Sequence, residues 1–249
     1  MFAMYAFPNR RAAKRWPAAG ALLGCGGLLL ALLCPAWASP SLPPRTQITY
    51  NLSKGSLPVA TVSEVLELGS DGYSITSEAR AAGWLALLQR GAITRSSRGK
   101  IGPEGLRPGI FRDQRTDRPA TVARFDWERK ILFLEQGEQR ASLPLPPGTQ
   151  DRLSFPYGFA FAPPAGSEIK LSMTDGKRIT DYLYRIKGKE RLSTPMGELE
   201  TLHLVRQKAP DEAGTELWLA IQHHLLPVRI LVIEEDGGTL DQVATRISY

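Results

Sequence analysis

The stretch TVSEVLELGSDGYSITSEA, residues 61–79, decides the fold class of this chain. Residues 61–68 and 73–79 alternate between apolar and polar side chains, which is typical of half-buried strands whose successive side chains point to opposite faces. The four residues between them, Gly69-Ser70-Asp71-Gly72, tolerate the positive φ of a tight turn. The stretch therefore predicts an antiparallel β-hairpin.

The same alternation recurs outward along the chain in both directions. It begins at Ile48, Tyr50 and Leu52 and continues in residues 120–127, 131–136, 169–173, 180–186, 198–206, 217–221, 228–233 and 242–249. Only residues 84–89 and 151–160 suggest helix, and no alternation of strands with helices favours a parallel sheet or a dinucleotide-binding fold. We predict a mainly β fold, an antiparallel, strongly curved sheet or open half-barrel with one or two short helices.

The first 38 residues have the three parts of an export signal. An apolar run covers residues 18–33, and Ala36-Trp37-Ala38 places small residues where a signal peptidase needs them. The positive charges that precede the run are Arg10, Arg11, Lys14 and Arg15. We therefore predict a cleaved signal peptide over residues 1–38 and a single β-rich periplasmic domain over residues 39–249.

Two other interpretations of this segment are less favourable. A retained membrane anchor needs roughly 20 apolar residues, whereas this run is shorter and Pro35 follows it at once. Leu22-Leu23-Gly24-Cys25 is similar to a lipid-attachment site, but cleavage there would cut the apolar run in its middle. We expect the mature protein to have no stable transmembrane segment.

Removal of the signal changes the charge and the cysteine content. The 31 basic residues less the four of the signal leave 27, against 25 acidic residues, a net charge of +2. Such a small charge is weak evidence for a nucleic-acid partner, and we predict none. Both cysteines, Cys25 and Cys34, lie in the signal, so the mature chain has no disulfide and no thiolate metal site.

Motifs of catalysis and metal binding are missing from the sequence. No Gly-x-Ser-x-Gly string occurs, and the one Ser-x-x-Lys match, at Ser97 and Lys100, lacks its companion Lys-Thr-Gly. The histidines, His203, His223 and His224, do not have metal-ligand spacing. We predict no catalytic residue, no metal site and no cofactor.

Residues 151–161, DRLSFPYGFAF, hold four aromatic rings within seven residues. Aromatic side chains this close together line the mouth of an apolar cavity or form a plug at the end of a barrel, and the sequence leaves both alternatives open. Asp151 is placed to cap the start of the predicted helix. The candidate ligand-binding residues are Trp84, Tyr157, Phe159, Phe161 and Trp218.

Residues 90–118 form the most basic segment, with eight basic residues against three acidic ones and a net charge of +5. Such a segment attracts the anionic head group of a lipid or an anionic glycan, or else forms a solvated sheet face. The candidates for binding an anionic group are Arg95, Arg98, Lys100 and Arg112.

Three strings carry a resemblance to a known family. They are QDRLS at 150–154, ERLSTPMGEL at 190–199, and LWLA at 217–220 followed by LPVRI at 226–230. In this order they resemble the bacterial domain of unknown function 3108 family, and GLRP at 105–108 also fits. The resemblance implies an exported, mostly antiparallel β protein and supplies no activity and no catalytic residues. More distantly, the last string is similar to a strand pair of periplasmic lipoprotein carriers, whose open half-barrels hold acyl chains.

Three functions fit these observations. The first is a non-enzymatic periplasmic binding or scaffold protein, with an apolar concave face for a lipid-like or amphipathic ligand in envelope maintenance. The second is an enzyme of envelope polymers without a recognisable motif, and the third is a structural partner of an envelope protein in a membrane complex. Ile230 and Val232 alternate with Leu231 and Ile233, so this strand is apolar on both faces and both must be covered. Pro227, which donates no ladder hydrogen bond, predicts a sheet edge there.

We predict that the exported protein begins at Ser39, because Ala38 completes the cleavage site. The intact mass of the protein from a periplasmic fraction measures this directly. A start before Ser39, or a lipid on Cys25, contradicts the prediction.

Overall fold

Strands make up most of the chain in the computed structural model, which describes residues 42–83, 91–209 and 212–249. One α-helix, α1 (Ser154–Gly158), and one 3-10 turn (Ile221–His223) accompany them in these ranges. The strands are β1 (Arg45–Lys54), β2 (Leu57–Leu68), β3 (Gly72–Ala81), β4 (Ala92–Gly102), β5 (Gly105–Arg115), β6 (Arg118–Asp126), β7 (Ile131–Gln136), β8 (Gln139–Pro144), β9 (Gln150–Asp151), β10 (Glu168–Thr174), β11 (Ile179–Thr194), β12 (Gly197–Arg206), β13 (Gly214–Ala220), β14 (Leu226–Ile233) and β15 (Thr239–Ser248). The predicted mainly β class is confirmed.

These strands form a single sheet in the order β8-β7-β6-β5-β4-β3-β2-β1-β15-β14-β13-β12-β11-β10-β9. The first and last strands pair near the centre, where Ile48 lies opposite Ile247. Neighbouring strands run antiparallel, as predicted, except β9 and β10, which are parallel. The two edges are β8 and β9, and no pairing between them closes the sheet into a barrel.

The sheet bends round on itself. Ser97 on β4 donates a hydrogen bond to Asp151 on β9 at 2.6 Å, although β4 and β9 stand ten positions apart in the strand order. In a flat sheet that separation is about 48 Å. Gln150 on β9 likewise donates to the carbonyl of Leu106 on β5 at 2.8 Å. The β9 edge therefore contacts the concave face of the opposite half of the sheet.

Alternation along the strands supplies the core. A first cluster combines inward side chains of β1 to β7 with buried residues of β11 to β15, and its fully buried members include Tyr50, Leu66, Ile75, Phe111 and Leu132. A second cluster joins α1 to the last third of the sheet and consists of Phe155, Phe159, Tyr184, Leu204, Leu217 and Leu219. Each such side chain contributes about 1.5–3 kcal/mol on burial.

The sequence did not predict β4 and β5, which fall in the basic segment 90–118. Their inward positions include Ser97, which is fully buried, and Arg95, which is partly buried, in place of aliphatic side chains. Because both faces of β4 are polar, the segment shows no apolar alternation. Instead of an apolar contact, Ser97 makes a hydrogen bond to the buried Asp151 on the β9 edge.

The helix predicted over residues 151–160 is shorter in the structure and covers Ser154–Gly158. The other predicted helix, at 84–89, lies outside the described residues, as does the signal segment 1–38.

The predicted sheet edge at Pro227 is wrong. Pro227 is the second residue of β14, which lies between β13 and β15 inside the sheet. It faces a register shift between Trp218 and Leu219 on β13, and the β15 ladder reaches β14 only at Arg229. The missing N–H is therefore tolerated because Pro227 stands at a bulge and before the second ladder begins.

Gly99 is required by a close approach of two backbones. A Cβ at this position would overlap the carbonyl oxygen of Arg107 on β5, at the register shift between Arg98 and Gly99. Gly102, in the same strand, has nothing within 4 Å of such a Cβ.

We expect Gly99→Ala to lower the free energy of unfolding by about 1–3 kcal/mol, because the backbone must move to admit the methyl group. The matched control Gly102→Ala should change it by less than about 0.5 kcal/mol. Urea unfolding of both variants measures the difference. Equal stabilities of the two variants contradict the overlap at Gly99.

Candidate ligand-binding cavity

Asp151 anchors the segment that enters the curved sheet. Its Oδ1 accepts the backbone N–H groups of Leu153 and Ser154 at 2.9 and 2.8 Å, and its Oδ2 accepts the Ser97 hydroxyl. Leu153 is the N-cap residue of α1 and makes no side-chain cap, so the predicted capping by Asp151 occurs two residues before the cap position. Asp151 has no exposed surface, and this burial raises its pKa to about 6 against the opposing effect of its hydrogen bonds.

A second buried carboxyl group holds the other end of α1. The Tyr157 hydroxyl donates to Oε2 of Glu64 at 2.7 Å, and the Ser77 hydroxyl donates to Oε1 at 3.0 Å. Burial raises the pKa of Glu64, while these two hydrogen bonds lower it. The helix is therefore fastened to β9 and β4 by Asp151 and to β2 by Glu64, and both carboxyl groups are occupied by structural hydrogen bonds.

Between the two core clusters lies a cavity of about 270 Å³. Residues 152–157 form one wall, and inward side chains of the sheet form the others. The apolar lining includes Leu52, Phe155, Met173, Leu217, Ile230 and Val232. Five residues of α1 do not fill the space that the curved sheet encloses, so the cavity remains beside them.

Two arginines interrupt this apolar lining. Arg95 on β4 forms an ion pair with Asp113 at 3.0 Å, and Asp113 also lies 3.8 Å from Arg115. Among the described residues, the guanidinium of Arg152 has no hydrogen bond or ion pair. Arg152 is exposed to solvent and lines this wall. Desolvation and the charge of Arg95 lower its pKa, whereas the charges of Asp175 and Asp113 raise it.

The aromatic residues predicted from 151–161 divide between the two alternatives. Tyr157 lines the cavity. Phe159 is buried in the second cluster with its ring 5.2 Å from that of Phe155, and half-buried Phe161 packs against the first cluster. Tyr157 therefore supports the cavity interpretation, whereas Phe159 and Phe161 are core.

Trp218 does not lie on the cavity wall. Its neighbour Leu217 lines the cavity, and alternation directs Trp218 to the other face of β13. There its ring stacks on His203 at 4.2 Å, and the guanidinium of Arg229 lies 4.5 Å from the ring centre. Trp84, the remaining aromatic candidate, lies outside the described residues.

The structure does not bring the predicted anion-binding residues together. Arg95 lines the cavity, whereas Arg98 and Arg112 are exposed, with Arg112 bonded to Gln114. Lys100 lines a separate, open groove.

Arg152 is the cavity residue that the sequence interpretation missed. It belongs to the QDRLS string of the resemblance, and a cation directly before an aromatic, apolar segment was the signal for it. The open groove beside Lys100 contains a further cation, Arg107, whose guanidinium lies 5.0 Å from the Trp127 ring.

The described ranges contain no group of three His, Cys, Asp or Glu side chains arranged to hold a metal ion. Within the same ranges, no helix has the length and hydropathy to cross a membrane.

The chain belongs to the family described as "Protein of unknown function (DUF3108)", which matches residues 46–245. This match confirms the resemblance of the three sequence strings. A search of curated proteins gives no match.

Two solved structures are similar to the chain at low identity. One is a beta-barrel-like protein of the domain of unknown function DUF1849 from Brucella abortus, with 10% identity, coverage of 84% of this chain and 98% of that one, and a TM-score of 0.49. The other, from Parabacteroides distasonis, carries a provisional description as a lipoprotein, with 8% identity, coverage of 84% and 97%, and a TM-score of 0.36.

Asp151→Asn tests the electrostatic cost of the buried carboxyl. The folded-state pKa of Asp151 is about 6, above the ordinary value of 3.8. The contribution of this group to stability is therefore fully present below pH 3.8 and is lost as the pH rises through about 6. Two pKa units correspond to about 3 kcal/mol. The amide keeps an acceptor for the two N–H groups and does not ionise.

We therefore expect the stability of Asp151→Asn, relative to the wild type, to rise by about 2–3 kcal/mol between about pH 4 and about pH 8. Urea unfolding across this range measures it. Glu64 titrates in the same direction but is common to both proteins, so it cancels in the difference. Parallel pH profiles of the two proteins contradict the assignment to Asp151.

Proposed function

We propose that this is a non-enzymatic binding protein of the periplasm, which holds a lipid-like or amphipathic ligand inside its curved sheet. The observation that carries the proposal is the cavity between the two core clusters, lined mostly by apolar side chains. Ligand sites of soluble proteins have this composition, with a few polar groups that fix orientation.

The cavity offers enough apolar contact to bind an alkyl chain in part. Each buried methylene contributes about 0.8 kcal/mol, so about eight of them give roughly 6 kcal/mol before the cost of association. Micromolar binding corresponds to about 8 kcal/mol, so the alkyl chain supplies part of this free energy and contacts with the rest of the ligand supply the remainder.

The curvature of the sheet supports the same proposal. The β9 edge contacts β4 and β5 without strand pairing between β8 and β9, which fits an open half-barrel whose concave face is accessible from one side. In this arrangement α1 forms the inner wall of the site.

The buried carboxyl groups favour binding over catalysis. Asp151 and Glu64 each accept at least two hydrogen bonds from groups that position α1. A carboxyl group that serves as an acid or base needs access to the reacting atom. We therefore assign both carboxyl groups to the support of the site. The proposal also includes export of the protein for maintenance of the cell envelope, with an envelope protein as a further partner.

Val232→Trp tests the site because Val232 lines the cavity from β14 and the larger ring fills it. We expect the fluorescent probe N-phenyl-1-naphthylamine, which is apolar and uncharged, to bind the wild type and to bind Val232→Trp at least about tenfold more weakly.

The matched control is Ile233→Trp, which adds the same ring to the next position, on the other face of the strand. This control should bind the probe as the wild type does. Melting temperatures establish that both variants fold. Equal probe binding by Val232→Trp and the wild type, or no binding by the wild type, contradicts the proposal.

A further inference from the structure

We infer that the cavity selects an anionic amphiphile, with a phosphate or carboxylate head group bound by Arg152 and the chain lying along the apolar wall. This inference rests on the proposed function and adds the chemical class of the ligand.

The backbone at Arg152 is held in place from both sides. Its N–H donates to the carbonyl of Thr174 on β10 at 3.2 Å. Asp151, immediately before it, accepts the N–H groups of the two residues that follow. The guanidinium therefore projects from a fixed point at the junction of β9 and α1.

Arg152 lines two adjoining spaces. One is the apolar cavity, and the other is a polar pocket of about 90 Å³. The charged residues of the polar pocket are the cations Arg115, Arg118, Arg152 and Lys177 and the acids Asp113 and Asp175. A ligand whose charged end lies in the polar pocket can therefore extend its chain past Arg152 into the apolar cavity.

The acids of the polar pocket are already engaged. Asp113 lies between Arg95 and Arg115. Asp175 uses its Oδ1 to accept the N–H groups of Lys177 and Arg178 at 2.9 and 3.1 Å, which shapes the turn between β10 and β11. The cations thus outnumber the acids, and the net positive charge of the pocket favours an anion.

Arg152 has the unsatisfied donors that such an anion needs. A guanidinium carries five N–H donors in a planar fork that matches phosphate and carboxylate oxygens in pairs. Among the described residues none supplies a hydrogen-bond acceptor to this exposed side chain, and Arg95 lies on the same cavity wall. An anionic head group relieves both the desolvation of Arg152 and its repulsion by Arg95.

The apolar wall distinguishes an amphiphile from a free anion. Glu64 also lines the cavity, where it accepts the Tyr157 hydroxyl, and its acidic group disfavours an anion beside it. The head group is therefore confined to the Arg152 end. Phe155 and Leu217, from α1 and β13, are available to the chain.

The experiment measures displacement of N-phenyl-1-naphthylamine by two amphiphiles of the same chain length, dodecyl phosphate and dodecyltrimethylammonium, and by inorganic phosphate. We expect dodecyl phosphate to displace the probe at a concentration about tenfold lower than the cationic amphiphile. Inorganic phosphate should not displace it. Arg152→Gln should remove the preference, measured as the ratio of the two displacing concentrations on that same variant, and Arg152→Lys should retain part of it.

The control variant is Arg112→Gln, which removes an exposed arginine of the basic segment 90–118 outside the cavity and should keep the full preference. Equal displacement by the two amphiphiles, or a preference that persists in Arg152→Gln, overturns the head-group assignment. The proposed function is still supported in that case if the wild type binds the probe. Displacement by inorganic phosphate as effective as by dodecyl phosphate overturns the amphiphile. A wild type that binds neither probe nor dodecyl phosphate overturns both proposals.

Discussion

The hydrogen bond from Ser97 to Asp151 is the contact on which the rest of this structure depends. It joins β4 to the β9 edge across the concave face, and the Tyr73 hydroxyl lies 3.0 Å from the same serine. A carboxyl group with no exposed surface is costly, as the raised pKa of Asp151 shows, and its hydrogen bonds offset this cost. A second contact across the concave face, from Gln150 to the carbonyl of Leu106, supports the same edge.

The cavity follows from that contact. Asp151 fixes residues 152–157 against the sheet at one end, and Glu64 receives Tyr157 at the other. Between these two points α1 has only five residues, so it contacts both core clusters without filling the space between them. The same anchoring places Arg152 where its side chain lines both the apolar cavity and the polar pocket.

On the face of β13 opposite the cavity, Trp218 is buried by polar and charged neighbours. Trp218 lies between the ring of His203 and the guanidinium of Arg229, and its indole N–H donates to Glu190. Arg229 in turn forms a two-bond pair with Asp241 at 2.9 Å. Cross-strand stacking and ion pairs thus cover the ring of Trp218, which is itself a buried member of the first core cluster.

The sequence by itself determined the fold class, most of the strands and the family. Period-2 alternation and Gly- or Asp-containing turns are local signals, so the sequence alone predicts hairpins such as residues 61–79. The strings around Asp151 and Trp218 likewise identified the family without any knowledge of their contacts.

Only the tertiary structure decided which residues meet in the cavity. Alternation shows that Leu217 and Trp218 face opposite sides of a strand, but not which side is concave, because curvature arises from contacts between distant strands. The strand β4 escaped prediction because Ser97 faces Asp151, which comes from the far edge of the sheet, and Arg95 faces Asp113 on the neighbouring strand β5. Arg152 acquired its place at the site for the same reason, since its neighbours Arg95 and Asp113 come from β4 and β5, segments remote from it in sequence.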